Sequence, residues 1–263
     1  MQKFPTFDLY DYKDIKCNFH THTPRCKHAT GTEREYVENA IAMGYKVLGF
    51  SDHAPYLFEG DHVSRIRMFM YELEDYVRTV EALKQEYKND IQIFNGLEME
   101  YFPKLFDRTL AEIKQYPMDY LILGQHYFDD EDGLIYTGSK WTEEFRLATY
   151  VERVITAIDT GNFLYVAHPD IIHYVGDAVI YEKHMRRLAQ ALKAHNMPIE
   201  INANGYVVGK QYPNKTFIEL GVQEGCDFIV GVDAHNPQAM LDEKTYQGCI
   251  ELAESLGGHV ICK

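Results

Sequence analysis

The sequence predicts an α/β fold, a barrel of parallel strands covered by helices, on three observations. Short apolar runs rich in β-branched residues recur along the 263 residues. Helical patterns alternate with them, which favours a parallel sheet over segregated strands and helices. Nearly every run ends in a histidine or a carboxylate, and in a parallel barrel the C-terminal strand ends converge on one face. Ligand-type residues scattered from His20 to His235 are then expected to meet in one cleft.

The expected strands are residues 15–19, 46–50, 91–97, 120–123, 163–167, 198–201 and 228–232. The first helix is expected over residues 33–43, because Thr32 and Glu35 have capping-box spacing. Further helices are expected over 70–87, 108–115, 143–159, 182–194 and 217–224. Asn236–Pro237 supplies a cap and a first-turn proline for a last helix running to Ser255. About seven strand–helix units fit one domain over 1–263 better than two. Irregular segments at 54–67, 129–141, 170–179 and 204–213 follow strand ends, where barrel loops carry the substrate site.

The chain carries a formal charge of −14, which disfavours nucleic-acid binding, since that affinity rests on Lys and Arg neutralising phosphates. No apolar run approaches a membrane span, and the start lacks the apolar stretch of a signal peptide, so a cytoplasmic location is expected. The five cysteines are odd in number and form no C-x-x-C pair, which reads as reduced thiols rather than disulfides. No G-x-S-x-G elbow, P-loop or G-x-G-x-x-G fingerprint is present, which disfavours serine catalysis, P-loop chemistry and dinucleotide binding.

What remains is metal chemistry. His20-Thr21-His22 leaves the first strand with both imidazoles on one side, because residues i and i+2 share a face. Ser51-Asp52-His53, Gly96-Leu97-Glu98, His126, His168 and Asp233-Ala234-His235 follow later strands, and His28 lies on the loop after the first. A carboxylate at 98 can bridge two ions with its two oxygens, which an imidazole cannot do. Glu100 shares its face but lies farther past the apolar run, so position favours Glu98. The set points to a multinuclear metal hydrolase. Histidines 62, 173, 184, 195 and 259 fall outside the pattern; His184 and His195, on a helix, are expected at the surface, and His173 lies on a loop after a strand.

This set of ligands, with HTHTPRCKHATGT, FSDHAPY and the later SRIRM, resembles the polymerase and histidinol phosphatase (PHP) superfamily, in its histidinol-phosphate phosphatase branch. The resemblance implies a distorted (β/α)7 TIM-like barrel. It implies three divalent ions (zinc, manganese or iron), one on His20, His22, Glu98 and Asp233, a second on Glu98, His126 and His168, a third on His28, His53 and His235. Catalytic roles for Glu98, Asp233 and His235 follow, with a metal-bridging hydroxide attacking the phosphorus of L-histidinol phosphate. Arg65 or Arg67 would clamp the phosphate. Three divalent cations would outweigh Glu98 and Asp233, leaving a cationic pocket in an acidic protein.

One departure bears on the substrate. The branch commonly carries an arginine just after the strand end at 199–204 and a basic residue after His168-Pro169-Asp170. Here Gly205 is followed by Tyr206-Val207-Val208 with Lys210 the nearest cation, the loop after Asp170 reads IIHYVGD, and His173 and Lys210 are the candidate substitutes. Another small phosphate monoester or a nucleotide is the alternative substrate, and a non-catalytic metal-binding accessory protein the alternative class. Asp170 is a candidate proton donor to the leaving alkoxide. Metal identity and oligomeric state are not encoded in these patterns.

Overall fold

The computed structural model describes residues 4–129, 133 and 135–263. In chain order these form β1 (Cys17–Asn18), α1 (Glu33–Ala42), β2 (Val47–His53), α2 (Leu73–Glu86), β3 (Gln92–Met99), α3 (Phe106–Ile113), β4 (Tyr120–Leu123), β5 (Lys140–Trp141), α4 (Glu144–Asp159), β6 (His173–Tyr174), α5 (Ala178–Ala194), β7 (Ile199–Asn202), α6 (Ala203–Val208), α7 (Lys215–Gln223), β8 (Asp227–Gly231), α8 (Glu243–Ser255) and β9 (His259–Val260).

Strands β1 to β4 pair in order and in parallel, and β7, β8 and β9 do the same. Residues 163–167 join the two groups. Their backbone exchanges hydrogen bonds with Leu121 and Leu123, and Val166 bridges to both Leu123 and Ile199. They form single bridges rather than a ladder. At the top, Thr21 bridges to Ala234, and His22 N–H donates to the Ala234 carbonyl at 3.0 Å. Below, β9 fills the space beside β8, where Ile261 donates to Phe228 and accepts from Asp14. Seven parallel segments thus curl around one axis, as expected.

Alternation then sorts the side chains. Phe94, Tyr120, Ile122, Tyr165, Ala167 and Ile229 fill the interior, closed from below by Phe7 and Tyr12 against Phe94 and Phe19. Their neighbours Ile93, Leu97, Leu121, Val166, Ile199 and Val230 face the helices. Higher on the same inward columns come Glu98, Glu200 and Asp233, so the polar site caps an apolar plug.

Local signals hold at the termini. Thr32 and Glu35 form the reciprocal capping box of α1. Asn236 caps a 3-10 turn at Pro237–Leu241, and Asp242 caps α8, so the last helix begins later than its proline suggests. Helix α5 begins earlier than expected, because Asp177 accepts the N–H of Val179 at 2.7 Å. The 204–213 segment is not wholly irregular: Asn202 caps α6, which ends at Gly209 with φ 71°. The loops expected over 129–141 and 170–179 carry β5 and β6, which pair in parallel; positions 130–132 and 134 lie outside the described residues. His184, expected at the surface, is buried and meets Glu144 Oε1 at 2.9 Å. Among the described residues no helix is long and apolar enough to cross a membrane.

Tyr120 ties the interior together, its hydroxyl lying 2.8 Å from the Phe19 carbonyl and 3.0 Å from that of Phe50. Tyr120→Phe is expected to cost about 1–3 kcal/mol, because buried carbonyls lose their donor. Urea unfolding of both proteins measures it, and a change within error would refute the role.

Candidate metal centre

The site is built from strand ends, and the register of the sheet sets it: His53 on β2 stands beside Glu98 on β3. Glu98 is 1% exposed and its two oxygens face different partners. Oε2 lies 3.6 Å from His20 Nε2, 3.5 Å from His22 Nε2 and 3.1 Å from His53 Nδ1. Oε1 lies 3.0 Å from His168 Nε2 and 3.5 Å from His126 Nε2. Asp233 Oδ1 completes the first group, 3.4 Å from His20 Nε2 and 3.1 Å from His22 Nε2. Ligands about 2.0–2.1 Å from a tetrahedral ion are separated by about 3.3 Å, so these spacings match a metal cage.

The hydrogen-bond inventory makes the same point. His20 Nε2, His22 Nε2, His53 Nδ1 and both oxygens of Glu98 are buried without a hydrogen-bond partner. Buried polar atoms in folded proteins are normally paired, so a cluster of orphans calls for a cation. His28 and His235 add an independent case. Each presents Nδ1 to a backbone carbonyl, Cys26 at 2.7 Å and Asp233 at 3.0 Å, and a carbonyl only accepts. In the neutral rings both Nε2 atoms are therefore acceptors, yet they face each other at 3.0 Å. Two lone pairs at that distance need a proton or a metal between them.

A second layer fixes the rings. His20 Nδ1 meets Glu200 Oε1 at 2.8 Å, and His126 Nδ1 meets Glu100 Oε1 at 3.1 Å. Both rings are thereby locked with Nε2 toward Glu98, the arrangement of carboxylate–histidine–metal triads. Gly124 and Gly231 make room for the carboxylates: a Cβ at 124 would lie 1.8 Å from Glu98 Oε1, and one at 231 the same 1.8 Å from Glu200 Oε1. His168 and Asp233 are non-glycine residues in the left-handed region, at φ 31° and 53°, a strain of order 1 kcal/mol each that turns both strand ends into the site.

Burial opposes the charge of Glu98, but His126, His53 and His20 outweigh it and hold its carboxyl well below the usual range. Burial likewise opposes a proton on His20, and Glu200, Asp233 and Glu98 override it, raising its pKa to about 10. His235 goes the other way, lowered to about 4 by burial and by His22.

All nine ligand positions read from the sequence, His20, His22, His28, His53, Glu98, His126, His168, Asp233 and His235, therefore gather in or beside one cleft of about 320 Å³. His53 Nδ1 lies 3.1 Å from Glu98 Oε2, and donor atoms of His22, His53 and His235 lie within 4.8 Å of one another. Of the proposed substrate contacts, Lys210 lines the cleft, its Nζ donating to the Tyr212 hydroxyl at 3.1 Å. Arg67 does not contact it: 1% exposed, it forks onto Glu100 at 3.0 and 2.9 Å and donates to the Ala54 carbonyl. Arg65 is exposed beside Ile66, and His173 sits in β6, away from the cleft lining. Asp170 is buried, with its pKa raised to about 7 by burial; it accepts the Asn214 N–H and does not line the cleft.

Sequence reading missed Glu200, whose signal was a lone carboxylate inside the apolar run 198–201. It also missed Asn202 and Asn204, whose side-chain amides reach Asp233 Oδ2 at 3.3 and 3.2 Å, and the cleft walls Tyr127, Tyr136 and Tyr212.

Comparisons with known proteins agree with this geometry. Residues 18–204 match the model of the PHP domain. A Deinococcus radiodurans protein named as a probable histidinol-phosphatase is 28% identical over 232 residues, covering 84% of this chain and 86% of its own. The Bacillus subtilis histidinol-phosphatase is 24% identical over 248 residues, covering 82% and 92%. The crystal structure of histidinol phosphate phosphatase from Lactococcus lactis, complexed with zinc, L-histidinol and phosphate, superposes with a TM-score of 0.71 at 20% identity, covering 94% of this chain and 95% of that one.

Two outcomes follow. Glu98→Gln is expected to lose bound metal while the fold persists, whereas Glu100→Gln leaves Arg67 as a buried unpaired charge and costs about 3–5 kcal/mol of stability. Metal analysis and urea unfolding of both variants separate them; equal metal loss from the two would overturn the division of roles. In the metal-free protein His20 keeps its proton to about pH 10, against an ordinary histidine value of 6.5. That contribution to stability is complete below pH 6.5 and is lost as pH rises through about 10, so metal-free protein should weaken across this window. Cation binding near neutral pH should also release protons. A flat stability profile with no proton release in a weakly buffered zinc titration would contradict both.

Proposed function

The chain belongs to the PHP domain family, and on that premise we propose that it is a metal-dependent phosphomonoesterase that hydrolyses L-histidinol phosphate to L-histidinol and phosphate. The observation that carries the reading is Glu98, a buried carboxylate with two unpartnered oxygens aimed at two separate sets of imidazoles. The names of the relatives that align along most of their length support the substrate.

We read residues 1–263 as one catalytic unit, since its ligands span the chain. His20, His22, Glu98 and Asp233 would hold one divalent ion, Glu98, His126 and His168 a second, and His28, His53 and His235 a third. Bound cations supply charge to hold a phosphate and lower the pKa of water. The chain's own residues do the rest. Glu200 and Glu100 keep the imidazoles aimed, Lys210 offers the phosphate an ammonium at the cleft rim, and Tyr136, Ile171 and Tyr212 form a wall against which an imidazole-bearing leaving group packs.

A second substrate reading, another small phosphate ester, is favoured by one observation. Lys210 is the one Lys or Arg among the described residues lining the cleft, and it lacks the planar fork of an arginine. The complete ligand set argues against a non-catalytic protein.

Metal-loaded enzyme assayed on a panel of phosphate esters is expected to show its highest kcat/KM with L-histidinol phosphate. A better ester would move the substrate assignment, and turnover of none would sink the hydrolase reading. Lys210→Met should raise KM about tenfold or more, the scale of a hydrogen bond to a charged group, with metal content unchanged.

A further inference from the structure

The family resemblance assigns the third cation to three histidines, but the structure places a sulfur there too. Cys26 ends the 3-10 turn Pro24–Cys26 and is fully buried. Its carbonyl receives His28 Nδ1, and its Sγ accepts the Ala29 N–H at 3.3 Å, which holds the side chain in one orientation. Donor atoms of Cys26, His28 and His235 lie within 4.8 Å of one another, and those of His22, Cys26 and Asp52 do the same. The facing Nε2 atoms of His28 and His235, at 3.0 Å, mark a cation position independently of the cysteine. Donor atoms of His22, His53 and His235 also lie within 4.8 Å of one another, the His22 ring centroid 4.1 Å from His235 and the His53 centroid 5.4 Å from His28.

We propose that Cys26 is a protein ligand of the third cation, supplying a thiolate Sγ beside the Nε2 atoms of His28 and His235. This rests on the reading that the cleft binds metals and not on the identity of the substrate. Ligation forms one sulfur–metal bond and releases the thiol proton to solvent, with no change in oxidation state. A sulfur donor makes this the softest of the three sites and the one that selects zinc over manganese, because thiolates favour zinc while carboxylates and waters suit manganese. The added negative charge also compensates the cation.

The test is spectroscopic. Metal-depleted protein refilled with cobalt(II) should show a sulfur-to-cobalt charge-transfer band in the near ultraviolet. Cys26→Ser should abolish the band and lose about one bound equivalent under mild chelation, while Cys249→Ser, on α8 and outside the histidine cluster, keeps both. Should Cys26→Ser fail to fold, zinc-edge X-ray absorption on the unaltered protein decides it, with a sulfur scatterer at about 2.3 Å expected. Absence of the band and of the sulfur shell in fully loaded protein overturns the proposal, whatever the phosphatase assay shows.

Discussion

The constraint on which this structure turns is the burial of a bridging carboxylate among imidazole nitrogens. Glu98 has no hydrogen-bond donor on either oxygen, and its nearest partners are imidazole nitrogens. A buried anion in that state is unfavourable unless charge is supplied to it. In the metal-free protein the charge comes from protons: against the opposition of burial, Glu200, Asp233 and Glu98 together raise the pKa of His20 to about 10. Cations do the same job without demanding a donor geometry. Folding and metal binding are therefore thermodynamically linked, and part of the free energy of ligation appears as stability of the barrel.

Everything around Glu98 follows from keeping that arrangement in place. The glycine at 124 exists because the space of its Cβ belongs to a Glu98 oxygen. The left-handed backbone at His168 and Asp233 turns two strand ends that would otherwise carry their side chains past the cleft. Behind the ligands, Glu200 and Glu100 hold the rings, and Arg67, the largest fully buried side chain, neutralises Glu100. Without Arg67, Glu100 would be a second uncompensated anion 3.1 Å from His126. Of the outer carboxylates Glu100 is thus balanced by Arg67, while Glu200 accepts from the His168 N–H and the Asn202 amide, and the proposed cations would balance the inner pair.

Sequence periodicity exposed the part of this that depends on single chains of residues, and hid the part that depends on what faces what. His20-Thr21-His22 and Glu98 were legible because an alternating strand dictates its own side. Arg67 was read as a phosphate clamp for the opposite reason: an S-R-x-R pattern gives no direction, and here the guanidinium turns to Glu100 rather than into the cleft. Glu200 was invisible as a partner because its role exists only once β7 lies across the barrel from His20. The fifth barrel position was read as a strand from its apolar pattern, but pairing there is limited to single bridges at Val166. Helix α6 hid inside an apparent loop, since its cap, Asn202, sits at the end of a strand.

The overall charge of −14 and the proposed anionic substrate are reconciled by the same layering. The acidic surface is screened over about 8–10 Å at physiological ionic strength, while the field inside a cleft walled by protein is not. Within the cleft the fixed anions are few, and the three divalent ions proposed would exceed them. Attraction for phosphate is therefore a property of the loaded cleft rather than of the protein as a whole, and removing the metals should reverse its sign. That places the burden of specificity on Lys210 and the tyrosine wall, because the metals bind any phosphate that reaches them. With Lys210 rather than an arginine at its rim, the cleft would be less selective for phosphate geometry and more dependent on the fit of the leaving group against Tyr136, Ile171 and Tyr212.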